Sequence, residues 1–228
     1  MIIRDDEFIV FSKGSNEFPS PLQGLLHWDE KLYPAWAAII AFHLFPQQVG
    51  NGVEPHYHDN DEFWLFTAGQ GEVWLGDLSF SCSPNTLVYT PKGNVQRFQM
   101  FTDGEMVALA TRFKGKKRAG HLLVESDGEP EPIGGGFVLG GSENLGDFSE
   151  RAPHCPLSEL RVVSGDTSNY KEEIVSVHEY WLILSGTLHL SISDFEVELM
   201  RGDLAILRKG VRRHAKFLKG TRAVLARE

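Results

Sequence analysis

Polar and apolar positions along this chain alternate in short runs and rarely group at helical spacing. Phe63 to Phe66, Glu72 to Leu75, Thr86 to Tyr89 and Arg97 to Phe101 are rich in aromatic and β-branched residues. Gly, Pro, Asn or Asp separates them, so each reads as a strand ended by a turn. The same holds for Tyr180 to Leu184, Leu188 to Ile192, Glu196 to Leu199 and Leu204 to Leu207. No window of about 12 residues carries apolar positions at 3.6-residue spacing between caps, so long helices are not expected. Many short strands at regular spacing predict an all-β fold, either a sandwich or a barrel.

The two groups of strands are copies of one unit. Sliding the chain by 117 residues sets Glu62-Phe63-Trp64-Leu65 on Glu179-Tyr180-Trp181-Leu182 without a gap. The same offset sets Gly69 on Gly186, Asp77 on Asp194, Leu87 on Leu204 and Lys92-Gly93 on Lys209-Gly210. One constant offset over so long a span indicates internal duplication. Residues 1–113 are therefore expected to form a first domain with an N-terminal arm, and residues 157–228 a second. The Gly- and Pro-rich stretch 114–156 reads as the connection, with an edge strand near Gly136 to Leu139. The arm, Met1 to about Tyr33, is left to pair with either sheet.

Chemistry gathers in the first copy, in Gly50-Asn51-Gly52-Val53-Glu54-Pro55-His56-Tyr57-His58-Asp59-Asn60-Asp61-Glu62. On a strand, His56 and His58 share one face. Glu62 keeps that parity, and a bend at Asp59-Asn60 would fold it back towards them. Two imidazoles and a carboxylate suit Fe(II), Mn(II) and related divalent ions, with positions left for water or substrate. With no thiolate in the motif, a closed structural zinc site is disfavoured. Taken singly, either histidine is an ordinary polar strand residue; their spacing with Glu62 makes a metal site the stronger reading.

This segment resembles the cupin superfamily, the RmlC-like jelly rolls. The first cupin motif, Gly-x5-His-x-His-x3-Glu-x6-Gly, is met by Gly50, His56, His58, Glu62 and Gly69. The second, Gly-x5-Pro-x-Gly-x2-His, is met at Pro91 and Gly93, while Asn85 replaces its first Gly and Gln96 its His. The resemblance implies two tandem cupin barrels, each a double-stranded β-helix, with one divalent metal ion (Fe, Mn, Ni or Zn) inside the first. Its ligands would be His56, His58 and Glu62, with Gln96 completing or bordering the set. Sliding the site by 117 gives Glu173, Val175, Glu179 and Arg213, so the second barrel is expected to be metal-free, with Glu179 and Arg213 forming an ion pair. His178 and His214 are one residue out of phase and are expected to face away.

Parity places Trp64 and Phe66 on the face of Glu62, and Phe98 and Met100 on that of Gln96. An aromatic lining stacks on a sugar ring or an arene, which makes Trp64, Phe98 and Trp36 candidate substrate-binding residues. Barrel core is the simpler role for Phe66, Phe98 and Trp181. His43 lies where it approaches the pocket or faces the other sheet, and His27 and His154 carry no pattern.

Composition narrows the function classes. The chain has 228 residues and a net charge of −9, which gives no general attraction to nucleic acid or anionic lipid. The one basic run, Lys114 to Arg118, reads as a solvated loop. No apolar stretch reaches the ~18 residues of a membrane span, and the first residues lack a secretory pattern. With Cys82 and Cys155 far apart, the expectation is a cytoplasmic protein with reduced thiols. The resemblance then points to a metal-dependent enzyme on a small polar metabolite, with a lean towards isomerase-type chemistry on a sugar or keto acid. A non-haem iron dioxygenase and a non-catalytic ligand-binding bicupin are the alternatives. Pairing of barrels into a homodimer is a further expectation from the resemblance.

Overall fold

A computed structural model describes residues 2–12, 31–115, 121–140, 150–165 and 170–228; His27 and most of the basic run lie outside them. Among the described residues there are twenty strands and no helix. In chain order they begin with β1 (Ile2–Arg4), β2 (Phe8–Phe11), β3 (Ile39–Gln47), β4 (Gly52–Tyr57), β5 (Glu62–Ala68), β6 (Gly71–Leu75) and β7 (Leu78–Cys82). There follow β8 (Leu87–Thr90), β9 (Gln96–Met100), β10 (Gly104–Thr111), β11 (Leu122–Leu123), β12 (Phe137–Leu139), β13 (Glu159–Ser164) and β14 (Tyr170–Ile174). The last are β15 (Glu179–Ser185), β16 (Thr187–Ile192), β17 (Phe195–Met200), β18 (Leu204–Leu207), β19 (Arg212–Phe217) and β20 (Arg222–Arg227). Shifted by 117 residues, β5 and β8 coincide with β15 and β18 at both ends, and each strand from β3 to β10 overlaps its counterpart from β13 to β20. No helix among the described residues is long and apolar enough to cross a membrane.

The chain divides into two compact units. One, here the N-terminal barrel, comprises Ile39–Glu143 and Ala152–Cys155; the other, the C-terminal barrel, comprises Met1–Ala38, Asn144–Arg151 and Pro156–Glu228. The N-terminal barrel has one sheet in the order β12-β8-β5-β10-β3 and a second in the order β11-β4-β9-β6-β7. The C-terminal barrel has β1-β2-β18-β15-β20-β13 and β14-β19-β16-β17. All the pairs are antiparallel.

Strand pairing settles what the sequence left open about the arm. β2 pairs with β18, so the described start of the arm, β1 and β2, lies with the C-terminal barrel and not with residues 39–113. Nor is 114–156 merely a connection, because β11 pairs with β4 and β12 pairs with β8. The physical reason is shared. β8 and β18 each have a free edge of backbone donors and acceptors once β5 and β15 are in place, and another strand must satisfy it. β12 does so in one barrel and β2 in the other.

The cores follow from side-chain parity. Trp64, Phe66, Val73, Val88, Phe98 and Met100 are buried together in the N-terminal barrel, and Val10, Val175, Trp181, Leu190, Ala215 and Leu225 in the C-terminal one. β9 alternates buried and exposed positions, as a strand with one wetted face does. β5 is buried from Glu62 to Thr67, so both of its faces are covered. Asn85 has φ +70°, and its counterpart Gly202 has φ +85°. Asn tolerates this left-handed conformation better than other side chains, which is why it stands where the repeat otherwise uses Gly.

Candidate metal centre

His56, His58, Glu62 and Gln96 come together at the rim of the N-terminal barrel, and all four are buried. Antiparallel register sets His56 on β4 directly opposite Gln96 on β9. His58 follows β4, and the chain bends at Asp59-Asn60 before β5 starts at Glu62. The fold-back brings His58 Nε2 to 3.0 Å from Glu62 Oε2.

Hydrogen bonds hold that bend rigidly. Asp61 accepts from Lys92 N–H (2.9 Å) and pairs with Lys114 Nζ (2.5 Å). Asn60 Nδ2 donates to the Thr111 carbonyl (2.8 Å), Lys114 N–H to that of Asp59 (2.9 Å), and Gly93 N–H to that of His58 (3.0 Å). His58 and Glu62 thus sit at the two ends of a tied loop, an arrangement that could hold a metal ion.

The tautomer of His56 is set in the same way. Its Nδ1 lies 2.7 Å from the Glu54 carbonyl oxygen, a partner to which it can only donate. Nε2 of a neutral ring is then a bare lone pair, and it has no hydrogen-bond partner among the described residues. Burial is the main reason that the His56 pKa drops to about 4, with His58 adding to the effect. Burial alone would raise Glu62, but the charge and hydrogen bond of His58, with His56 and His121 beyond, outweigh it and hold the carboxyl at about 2. The set is therefore two or more imidazoles beside an ionised carboxylate, the chemistry a divalent ion requires.

Gln96 plays a part the sequence did not specify. Its amide Nε2 donates a short hydrogen bond to Glu62 Oε2, while its Oε1 is buried without a partner among the described residues. Sequence reasoning missed His121 altogether. Its ring centroid is 4.4 Å from that of His56 and 5.2 Å from that of His58, and one nitrogen of each of the three rings lies within 4.8 Å of the others. Burial of part of the ring lowers its pKa, helped by His58 and opposed by Glu62.

The aromatic candidates divide. Trp64 and Phe98 meet edge to face at 5.2 Å and are 3% and 5% exposed, so they form the floor beneath the histidines. Trp64 is 6.4 Å from the His56 ring. Trp36 falls in the other unit, where it stacks on His178 at 4.7 Å, and so is not brought to the cluster. His43 is resolved by register: it is opposite Ala108, which is opposite Trp64, so all three share the inner face.

In the C-terminal barrel the expected ion pair is present. Arg213 is fully buried, and its Nε donates to Glu179 Oε2 at 3.0 Å. Arg227 Nη2 reaches Glu179 Oε1 at 2.6 Å, and Arg213 Nη2 also pairs with Glu173 at 2.5 Å. His178 Nδ1 accepts from Lys209 N–H at 2.9 Å, in keeping with a position outside this cluster.

No known family profile matches the chain. A protein of Sinorhizobium fredii, y4oW, is 32% identical over 76 residues, which is 33% of this chain and 35% of that protein. Among solved structures, YlbA of E. coli superposes with a TM-score of 0.68 at 12% identity, covering 99% of this chain and 92% of that one. The oxalate decarboxylase of Lactobacillus farciminis, solved as a formate complex, gives 0.64 at 11% identity, covering 100% and 82%. That of Bacillus subtilis, which has Mn(II) centres, gives 0.59 at 9% identity, covering 100% and 74%. Such identities carry the fold alone, and that fold agrees with the strand pairing: the chain is a cupin-fold protein of two tandem jelly-roll barrels.

Proposed function

We propose that the N-terminal barrel holds one divalent metal ion on His56, His58 and Glu62 and that the protein is a metal-dependent enzyme acting on a small polar metabolite. The observation that carries this is the buried, unpartnered Nε2 of His56, whose tautomer is fixed by Glu54 beside the ionised Glu62. Leaving such an atom unpaired costs about 1–3 kcal/mol, an expense that makes sense where an ion takes the lone pair. The mixed nitrogen and oxygen donors suit Mn(II) or Fe(II). The Mn(II) centres of the Bacillus subtilis oxalate decarboxylase, which shares the fold, favour the first.

When bound, such an ion supplies Lewis-acid polarisation of a substrate carbonyl or carboxylate. The remaining work falls to the chain's own groups. Gln96 holds Glu62 through its amide N–H and leaves its carbonyl oxygen to accept from a substrate hydroxyl. Trp64 and Phe98 close the floor and exclude water. His43, a titratable side chain on the inner face outside the ligand set, is our candidate for proton carrier. A substrate with adjacent oxygen atoms, a sugar or a keto acid, fits this distribution, and isomerisation is the reaction class we favour.

The test begins with protein stripped of metal and titrated with Mn(II), Fe(II) and Zn(II). One equivalent bound by the natural chain and lost in His58→Ala is the expected result; no stoichiometric binding by any of the three overturns the reading. Hydroxy and keto acids and sugars, followed by NMR with and without metal, then decide the reaction. Substrate-dependent consumption of O2 would replace isomerisation by oxygenation.

A further inference from the structure

Every strand of the N-terminal barrel from β3 to β10 has a counterpart 117 residues on, but β11 is an addition to its sheet, outside the duplicated set. It is short, yet it is firmly placed. Leu122 is buried and pairs with Tyr57, while Leu123 pairs with His56 itself. The Tyr57 hydroxyl lies 3.1 Å from the carbonyls of both Asp127 and Gly128. Asp127 Oδ2 in turn accepts from Leu123 N–H at 2.8 Å. This strap carries His121 at its start, where the exposed His121 ring lies beside the buried His56 and His58 rings.

Resting on the metal reading above, we propose that His121 is a third imidazole ligand, so that the ion staples the strap from His121 to Gly128 onto the barrel. Three nitrogen donors at about 2.1 Å from one ion lie ~3.0–3.6 Å apart pairwise. The three rings already place a nitrogen each within 4.8 Å of one another, so closing on an ion takes a shift of up to about one ångström from each. The three rings attract one another only weakly, whereas one ion held by all three would bind them together. The ligand comes from a different part of the chain than the duplicated strands, where position 96 carries an amide. The strap also forms one wall of a groove of about 810 Å³ with Glu54, Trp74 and Arg97, so metal occupancy and the shape of that groove are coupled.

The experiment compares the natural chain, His121→Ala, His121→Gln and His58→Ala, each stripped and then loaded with Mn(II). Pulsed EPR is expected to count three imidazole nitrogens in the natural chain and two in both His121 variants. Their affinity should fall by at least the ~10–100-fold that loss of a supporting group causes. Amide hydrogen exchange in 121–128 should slow on Mn(II) addition in the natural chain and not in either variant. An unchanged nitrogen count and affinity in both His121 variants, with binding abolished in His58→Ala, overturns the staple and leaves the metal reading standing. Absence of Mn(II) binding by the natural chain overturns both.

Discussion

Arg213 Nε donates to Glu179 Oε2 at 3.0 Å in the C-terminal barrel, at the two positions that Gln96 and Glu62 occupy in the N-terminal one. The duplicated units thus retain one device, a nitrogen on the strand end that holds a buried glutamate. They differ in what meets the glutamate from its other side: His58 in one barrel, the guanidinium of Arg227 in the other. A permanent cation carried by the chain stands in the C-terminal barrel where the N-terminal barrel presents imidazole lone pairs.

That pair is expected to be indispensable only as a pair. Glu179→Ala takes one carboxylate from the buried Arg213, which keeps its pairing with Glu173, and removing one member of a buried pair costs about 3–5 kcal/mol. Replacing both, as Glu179→Leu with Arg213→Met, should restore most of that loss. Urea unfolding followed by tryptophan emission reports it, because Trp181 Nε1 donates to Glu179 Oε2 at 3.1 Å. A single variant within 0.5 kcal/mol of the natural chain would show that the pair carries no such weight.

Acid should weaken the same barrel in a defined window. Burial by itself would raise the pKa of Glu179, but the hydrogen bonds and charges of Arg213 and Arg227 outweigh it and leave it below the ordinary 4.5. A carboxyl lowered on folding contributes stability that is complete above its unfolded pKa and is lost as pH falls through the folded one. The unfolding free energy of the C-terminal barrel should therefore decline below about pH 4.5, and Glu179→Gln should flatten that decline. An equal slope in both proteins counts against the assignment.

Removal of metal should be felt on one barrel alone. A ligand at 100 times its Kd adds about 2.7 kcal/mol to the form that binds it. A chelator is thus expected to speed amide exchange in β4, β5 and β9, which carry or flank the donors, and to leave β15, β18 and β19 unchanged. Equal effects on both sets would mean that the ion acts elsewhere.

Much of the fold was legible because it repeats. Strands at one offset announce themselves twice, and the parity argument for His56, His58 and Glu62 needed only an extended chain and a bend, both of which are present. The same reliance on the repeat hid His121, which lies outside it in a Gly- and Pro-rich stretch with no spacing to mark it. Trp36 misled for a related reason. Alternation along its stretch says which face a side chain takes but not which sheet its neighbours join, and β3 begins only at Ile39. The arm was undecidable from sequence, since the free edges of β8 and β18 are chemically alike.

Gly93 offers a test of how the rim is held. Its φ is +78°, and a Cβ there would lie 2.2 Å from the Glu131 carbonyl oxygen. Its N–H also donates to the His58 carbonyl. Gly93→Ala carries about 1–2 kcal/mol of backbone strain before any clash is relieved. It should lower both the melting temperature and the Mn(II) affinity, whereas Gly76→Ala, with φ +58° and open space around its Cβ, should lower the first alone.

Tyr57→Phe tests the strap through a side chain that is not itself one of the proposed metal donors. Tyr57 is fully buried, and its hydroxyl holds the Asp127 and Gly128 carbonyls, so the ring of Phe fills the same space while those hydrogen bonds are lost. Such a loss removes about 1 kcal/mol of stability. If the strap presents His121 to the ion, the variant should also bind Mn(II) more weakly, by up to about tenfold. The effect must then vanish in a His121→Ala background, because a strap without its ligand has nothing to present. Two residues that act through one element are non-additive, and a double-mutant cycle on Mn(II) affinity measures that coupling directly. Full additivity would show that Tyr57 supports the barrel and not the ligand.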